Sequence, residues 1–337
     1  MTMSRRLFMG LTAASAASAL LSACGKDDSS SSGGSGGGKT EDVKFGYIGD
    51  YNGTSLLAIA EDQKLWAKHG LNATTRVFTN GPLQIQALGT GDLDFGYIGP
   101  GAMWLPASGQ AKVVAINTLG NADRVIAQPG ITSIEQLKGK TVAVPEGTSG
   151  DMILTLALKR AGMTKQDLKI VPMDASVIVS SFSSKKIDGA GFWYPAIATI
   201  KKQVPDLVEL ARNDDFSSEV SFPTAFVAGN KVISEQQSKA QKTIAALRDA
   251  MEFRTANMDK SIELTAKMLK IPAEQVKADA ANVKVLSVQE LDTMTKDGTI
   301  NKWLTGMGDY FVGAGKLKSP VDPSTYYTGD LFTAGAK

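Results

Sequence analysis

Two stretches of this chain follow one template. Leu93-Asp94-Phe95-Gly96-Tyr97, leading to Pro100, and Ile187-Asp188-Gly189-Ala190-Gly191-Phe192, leading to Pro195, each enter through an aliphatic residue and Asp. Each then passes small residues and an aromatic and leaves through Pro. Each also follows a unit with the pattern of a strand and then a helix. In the first unit Val43 to Ile48 reads as a strand, and Leu56 to Lys68 carries apolar residues at helical spacing. In the second, Thr141 to Val144 is a β-branched strand, with an apolar run of helical length from Met152 to Arg160. A chain that repeats strand, loop and helix in this order is an α/β protein with two similar halves, and the alternation predicts parallel-type sheets. Such sheets bind ligands beyond the carboxyl ends of their strands, so the loops there are the place to look for a site.

The loop after Val144 has the strongest chemistry. Pro145 removes a ladder donor and stops the strand. Gly147 and Gly150 let the backbone turn tightly and approach a ligand. Thr148, Ser149 and Asp151 are N-cap residue types. Free N–H groups and the dipole at such a helix start favour an anion, which makes Thr148, Ser149 and Gly150 candidates. A plain capping turn is the alternative. The matching loops add Asp50, Tyr51, Asn52, Gly81, Pro82, Gly99, Pro100, Glu146, Trp193 and Tyr194, with Trp104 just beyond. Strand alternation predicts that only one of Trp193 and Tyr194 faces the ligand. Glu146 alternatively points to solvent, and Tyr51, Asn52 and Trp104 alternatively pack within their own loops. Gly81-Pro82 and Gly99-Pro100 shape the wall or serve only as turns.

Leu119 to Ala127 is expected to cross from one lobe to the other, and Phe222 to Val227 to return. Two crossings make a hinge able to absorb a closing motion. This gives one lobe of residues 41–123 plus 226–337 and a second of 124–225. Arg124, at the first crossing, offers a bidentate anion contact or an interlobe salt bridge. Ser234 to Tyr310 has helical periodicity and is placed on the first lobe. The Pro/Gly-rich tail after Lys316 wraps or frays.

The first 24 residues are read as a targeting segment. Ser4-Arg5-Arg6-Leu7-Phe8 is a twin-arginine pattern, and Leu11 to Leu21 is an Ala/Leu-rich run too short to span a bilayer. Leu21-Ser22-Ala23-Cys24 has the form of a lipobox with Cys24 as the lipidated residue, the alternative being a chance Cys beside an ordinary cleavage site. Residues 25–40 are mostly Ser and Gly and read as a flexible tether. Of the 337 residues, 43% are hydrophobic and 21% charged, an ordinary globular balance. Removing Arg5 and Arg6 from the 36 basic residues leaves 34 against 34 acidic ones, so the remaining body is near neutral. No long basic run points to nucleic acid.

Taken together, several segments resemble periplasmic solute-binding proteins of the nitrate/sulfonate/taurine (NMT1/SsuA-like) class. They are Phe45-Gly46-Tyr47-Ile48, Leu65-Trp66-Ala67-Lys68-His69-Gly70-Leu71, Gly91-Asp92-Leu93-Asp94-Phe95-Gly96, Leu137 to Val144, Gly147-Thr148-Ser149 and Ile187 to Pro195. The resemblance spans residues 43–310. It implies a two-lobed type II periplasmic-binding-protein fold, a small-molecule ligand in the interlobe cleft, and delivery to an ABC permease by a monomer held at the membrane through its lipid. It further implies an anionic head on Gly147–Gly150 and an aromatic from Trp193-Tyr194 beside it. Aliphatic sulfonates and taurine are the expected solutes. A nitrogenous cation or neutral amide (guanidine- or urea-like), held by Asp50 or Glu146, is the alternative, as is a sensor without transport.

An enzyme is the rival class. Gly147-Thr148-Ser149-Gly150 is not a Gly-x-Ser-x-Gly elbow. His69, the only His, sits beside Gly70 and reads as a helix C-cap rather than a catalytic base. One His and one Cys exclude a His- or Cys-based metal site and an internal disulfide. No cofactor is expected. Paired carboxylates stay open, although Asp94 and Asp188 read as strand-entry structure.

Overall fold

The computed structural model describes residues 40–335. The targeting, Cys24 and tether expectations therefore lie outside the described residues. The chain runs through β1 (Glu41–Ile48), α1 (Tyr51–Asp62), α2 (Leu65–Lys68), β2 (Leu71–Phe78), α3 (Gly81–Thr90), β3 (Phe95–Ile98), α4 (Trp104–Ala107) and β4 (Lys112–Gly120). It continues as β5 (Asp123–Ala127), β6 (Thr141–Val144), α5 (Ser149–Arg160), β7 (Lys169–Pro172), α6 (Ala175–Ser183), β8 (Gly189–Trp193), α7 (Ala196–Gln203) and β9 (Val208–Arg212). It closes with β10 (Pro223–Ala228), α8 (Asn230–Glu235), α9 (Gln237–Ala256), α10 (Met258–Leu269), α11 (Ala273–Ala280), β11 (Val283–Val285), α12 (Val288–Lys296), α13 (Thr299–Gly313) and α14 (Gly329–Ala334).

These strands form two sheets, one per lobe. The first has the order β11-β4-β10-β3-β1-β2 and the second β7-β6-β8-β5-β9. The α/β character is as expected, but neither sheet is purely parallel. β1 is parallel to β2 and β3, and β6 to β7 and β8. β10 runs antiparallel to β3 and β4, and β5 antiparallel to β8 and β9. The reversed strands are the two crossings themselves. Each enters a sheet from the other lobe and so arrives from the opposite end. The return strand also shifts the expected boundary. Residues 223–225, read as part of the second lobe, are paired within the first sheet.

The repeated Asp is structural in both halves. Asp94 accepts the Lys44 N–H at 2.8 Å and Asp188 accepts the Thr141 N–H at 2.9 Å, so each ties the entry of its strand to the neighbouring one. In the first core Phe95 stacks on Phe45 and Phe226 meets it edge-on, with centroids 5.5 and 5.6 Å away. Rings at this spacing add about 0.5–1.5 kcal/mol beyond their buried area. Gly150 and Gly191 bring α5 onto β8. A Cβ on Gly150 would lie 2.3 Å from the Gly191 carbonyl oxygen, so only glycine fits. The tail wraps: Val113 N–H donates to Tyr326 O and Thr328 N–H to Val113 O, at 2.8 and 2.9 Å.

Candidate functional site

The first strand of each half delivers a helix start to the gap between the lobes. β1 leads to Asp50, which caps α1 by accepting the Gly53 N–H at 2.6 Å. Tyr51 to Ser55 is therefore the opening of the helix and not a loop ahead of a helix starting at Leu56, because the Asp50 cap starts it earlier. β6 leads to Thr148 at the N-cap position of α5. The lobes are shut on one another there. A Cβ on Gly101 would fall 2.1 Å from the Thr148 carbonyl, and one on Gly99 would fall 3.5 Å from the Ser149 hydroxyl. Gly120 N–H donates to Phe222 O at 2.9 Å, holding the two crossings side by side.

Between the lobes lies a small cavity of about 30 Å³. A single water needs about 10–15 Å³ of such space, so in this shut state the cavity has room for about two to three waters. The first lobe supplies Ile48, Asp50, Asn52, Gly81, Tyr97, Gly99, Pro100, Ala102 and Thr224 to its wall; the crossing and the second lobe supply Gly120, Ala122, Asp123, Thr148, Ser149, Trp193 and Tyr194. Thus Asp50, Asn52, Gly81, Gly99, Pro100, Thr148, Ser149, Trp193 and Tyr194 come together. Both Trp193 and Tyr194 line the wall, against the expectation of one. β8 ends at Trp193, so Tyr194 is free of the pleat that would turn it away.

The other candidates lie elsewhere. Tyr51 is buried against α10, its hydroxyl 2.6 Å from Ser261 Oγ. Gly150 is spent on the approach to β8. Pro82 sits at the start of α3 facing Gly147, and Glu146 is exposed. Trp104, half-buried, packs near Gly147. Arg124 is fully committed within the protein. Its Nε donates to Glu209 at 2.8 Å, Nη1 to the Asn121 and Asp123 carbonyls, and Nη2 to Asn282 Oδ1 at 2.7 Å. Its salt bridge is to Glu209 within the second lobe rather than at the surface or across the lobes, and it is the hydrogen bond to Asn282 that ties the crossing to the first lobe. Glu209 also accepts the Tyr194 hydroxyl at 2.9 Å, so this network sets the Tyr194 ring in the wall. His69 caps α2 and meets Asp249, outside the cavity.

The helix start at Thr148 is not an open anion cradle. The Pro100–Ala102 turn of the first lobe crowds its backbone, and Asp151, outside the cavity wall and paired with Lys165, accepts the Gly147 N–H at 3.1 Å. No Lys or Arg lines the cavity.

Two carboxylates do line it. Asp50 is 6% exposed and Asp123 4%, and they face the gap from opposite sides of the crossing. Asn213 holds Asp123 through two bonds, Asn213 Nδ2 to Asp123 Oδ2 at 2.9 Å and Asp123 N–H to Asn213 Oδ1 at 2.8 Å. Burial pushes the Asp50 carboxyl well above its ordinary range, with repulsion from Asp279 and Asp123 adding to it. Burial also raises Asp123, although Ser149, Asn213 and Arg124 pull it back. A buried carboxylate is costly without a paired charge. Among the described residues no Lys or Arg forms an ion pair with Asp50 or Asp123, although Arg124 lies close enough to Asp123 to favour its charged form. Among the described residues no three His, Cys, Asp or Glu groups form a metal site. Sequence reasoning missed Asp123, Tyr97 and Thr224, which it took as strand or crossing. The one available signal was Asp123 standing beside the chosen Arg124.

A family model described as NMT1/THI5 like matches residues 54–261, more than half of the chain. The chain belongs to the NMT1/THI5-like family. Similar to this family member is a Brucella abortus (strain 2308) protein with the provisional name of a binding protein and no stated ligand. It is 56% identical over 292 residues, 87% of this chain and 92% of the relative. The taurine-binding periplasmic protein of Escherichia coli (strain K12) is 24% identical over 286 residues, 81% of this chain and 88% of its own. Among solved structures, the alkanesulfonate-binding protein SsuA from Xanthomonas axonopodis pv. citri bound to MOPS superposes with a TM-score of 0.68 at 19% identity, over 86% of this chain and 99% of that one. The likeness shows the fold, which is that of periplasmic binding proteins.

Proposed function

We propose that this protein is the extracytoplasmic solute-binding component of an ABC importer and that its solute is a small nitrogenous cation of the guanidinium or alkylammonium class. The observation that carries the reading is the cavity wall, which presents Asp50 and Asp123 from its two sides and no basic residue. A cation between them supplies counter-charge, and the aromatic side chains of Tyr97 and Trp193 in the same wall suit it further. Closing then follows from contacts that exist only when both lobes touch the solute. The anionic sulfonate expected from the resemblance finds no basic side chain in this wall. The names of two relatives support periplasmic placement, one of them that of an ABC transporter and hence a permease partner, and Cys24 in its lipobox-like setting supports lipid anchoring. Binding rather than catalysis is favoured by the relatives, which are named as binding proteins; the hydroxyl–carboxylate pair in the wall, Ser149 with Asp123, has no His beside it.

A second reading is a taurine-like zwitterion. The name of the Escherichia coli relative and the hydroxyls of Thr148, Ser149 and Thr224 favour it. Its ammonium group would take the same carboxylates. Calorimetry with guanidinium, ethylammonium, taurine, ethanesulfonate and nitrate separates the cases. Binding of either cation, with ethanesulfonate and nitrate silent, is the expected result. Binding of taurine alone selects the second reading. Binding of ethanesulfonate or nitrate without any cation overturns both.

A further inference from the structure

Resting on the cationic reading, we propose that the site exchanges a proton for its solute: the empty cavity retains one proton shared among Asp50, Asp279 and Asp123, and the arriving cation expels it to solvent. Asp279 is the unexpected member. It comes from α11, does not line the cavity, and is 1% exposed. Its Oδ2 accepts the Tyr51 N–H at 2.6 Å, one residue along α1 from the Asp50 cap, whose Oδ1 accepts Gly53 N–H at 2.6 Å. Two buried carboxylates therefore share the first turn of one helix. Its N-terminus offers about half a positive charge against their two negatives. Asp279 Oδ1 has no hydrogen-bond partner among the described residues, an unusual state for a buried oxygen and a natural seat for a proton.

The surrounding groups do not remove the need for that proton. Asp123 faces them from β5 and adds a third negative charge. Tyr97 on β3 and Tyr51 on α1 are neutral phenols whose ionisation burial pushes up. Arg124 on β5 neighbours Asp123 and favours its charge, but its own bonds go to Glu209, Asn282 and the Asn121 and Asp123 carbonyls. Arg254 on α9 is the other nearby cation. It spends its bonds on Ser55 Oγ and Asn117 O, at 3.2 Å each, and forms no ion pair with either carboxylate. Burial, joined by repulsion from Asp123, moves Asp279 up to about 7. A cation seated between Asp50 and Asp123 favours their ionised forms and lowers the proton affinity of the whole group. The balance is simple: one O–H bond of a carboxylic acid breaks, water or buffer takes the proton, and the carboxylate keeps the electron pair.

The test is titration of the full chain with guanidinium chloride, at constant ionic strength, in two buffers of different ionisation enthalpy. Near pH 6 the two enthalpies are expected to differ by the equivalent of about one released proton. The affinity is expected to tighten by up to about tenfold per pH unit between about pH 5 and 7 and to level off above. D279N, in which Asn Oδ1 still accepts the Tyr51 N–H, is expected to keep guanidinium binding and lose most of this slope. A purely structural role for Asp279 would change affinity equally at every pH. Guanidinium binding with identical enthalpies in both buffers and a flat pH profile overturns the exchange while leaving the cationic reading intact. Failure of guanidinium and ethylammonium to bind, with ethanesulfonate or taurine binding, removes the reading and the exchange with it.

Discussion

Asp123 and Arg124 are adjacent, and their roles are opposite to first expectation. Successive residues of a strand point to opposite faces, so only one of the pair can reach the cavity. The carboxylate does, and the guanidinium turns to Glu209 and Asn282. A sequence reading that weighs residue chemistry alone prefers Arg for an anion site, and nothing local encodes which face of β5 looks into the gap. D123N and D50N should each weaken a bound cation by about 1.5–3 kcal/mol, the usual worth of a bond to a charged group. Calorimetry would read this as about 10- to 150-fold in Kd. The double variant should fall short of the sum, because both act on one solute.

At the level of elements, two glycines at the α5 start do different work. Gly150 faces β8 within its own lobe, whereas Gly101 reaches Thr148 from the other lobe. G150A should therefore lower thermal stability by several degrees, since overpacking costs about 1–3 kcal/mol. G101A should leave the Tm of the ligand-free protein nearly unchanged but hold the lobes apart. Small-angle scattering would then show no contraction on adding the solute. An unaltered contraction would mean that the Pro100–Ala102 turn does not govern closure. The repeated strand–loop–helix units were legible because each is local: β1 with α1, and β6 with α5, follow from periodicity and caps. The reversed direction of β5 and β10 was not, because it depends on which lobe a strand arrives from.

For the whole molecule, the unpaired acids shape stability as well as binding. Asp279 titrates near 7 when folded and near 4 when unfolded, so between those values the folded chain binds more protons. Its contribution to stability is thus complete below about pH 4 and lost as pH rises through about 7. Glu209 has the opposite sense. Burial raises it, but bonds from Lys201 and Tyr194 win and leave it below its usual range, so its contribution disappears only in stronger acid. The ligand-free protein should melt higher at pH 5.5 than at pH 7.5, and D279N should flatten that difference. The two-lobed plan itself was readable from the Asp–aromatic–Pro template, whereas the charge of the wall was not. It is assembled from Asp50 and Asp123, 73 residues apart in the chain.

Opposed acids at the meeting line of two jaws make an unfilled bite self-repelling. On the cationic reading, the jaws in neutral medium spring back unless prey bearing a positive charge sits between them, and a transporter of the kind proposed, reading only the shut shape, would be spared idle strokes. In an acidified surrounding, protons would quench that repulsion. Empty molecules would then shut of their own accord and crowd the proposed importer with decoys, so uptake should fail in acid before the receptor itself comes apart.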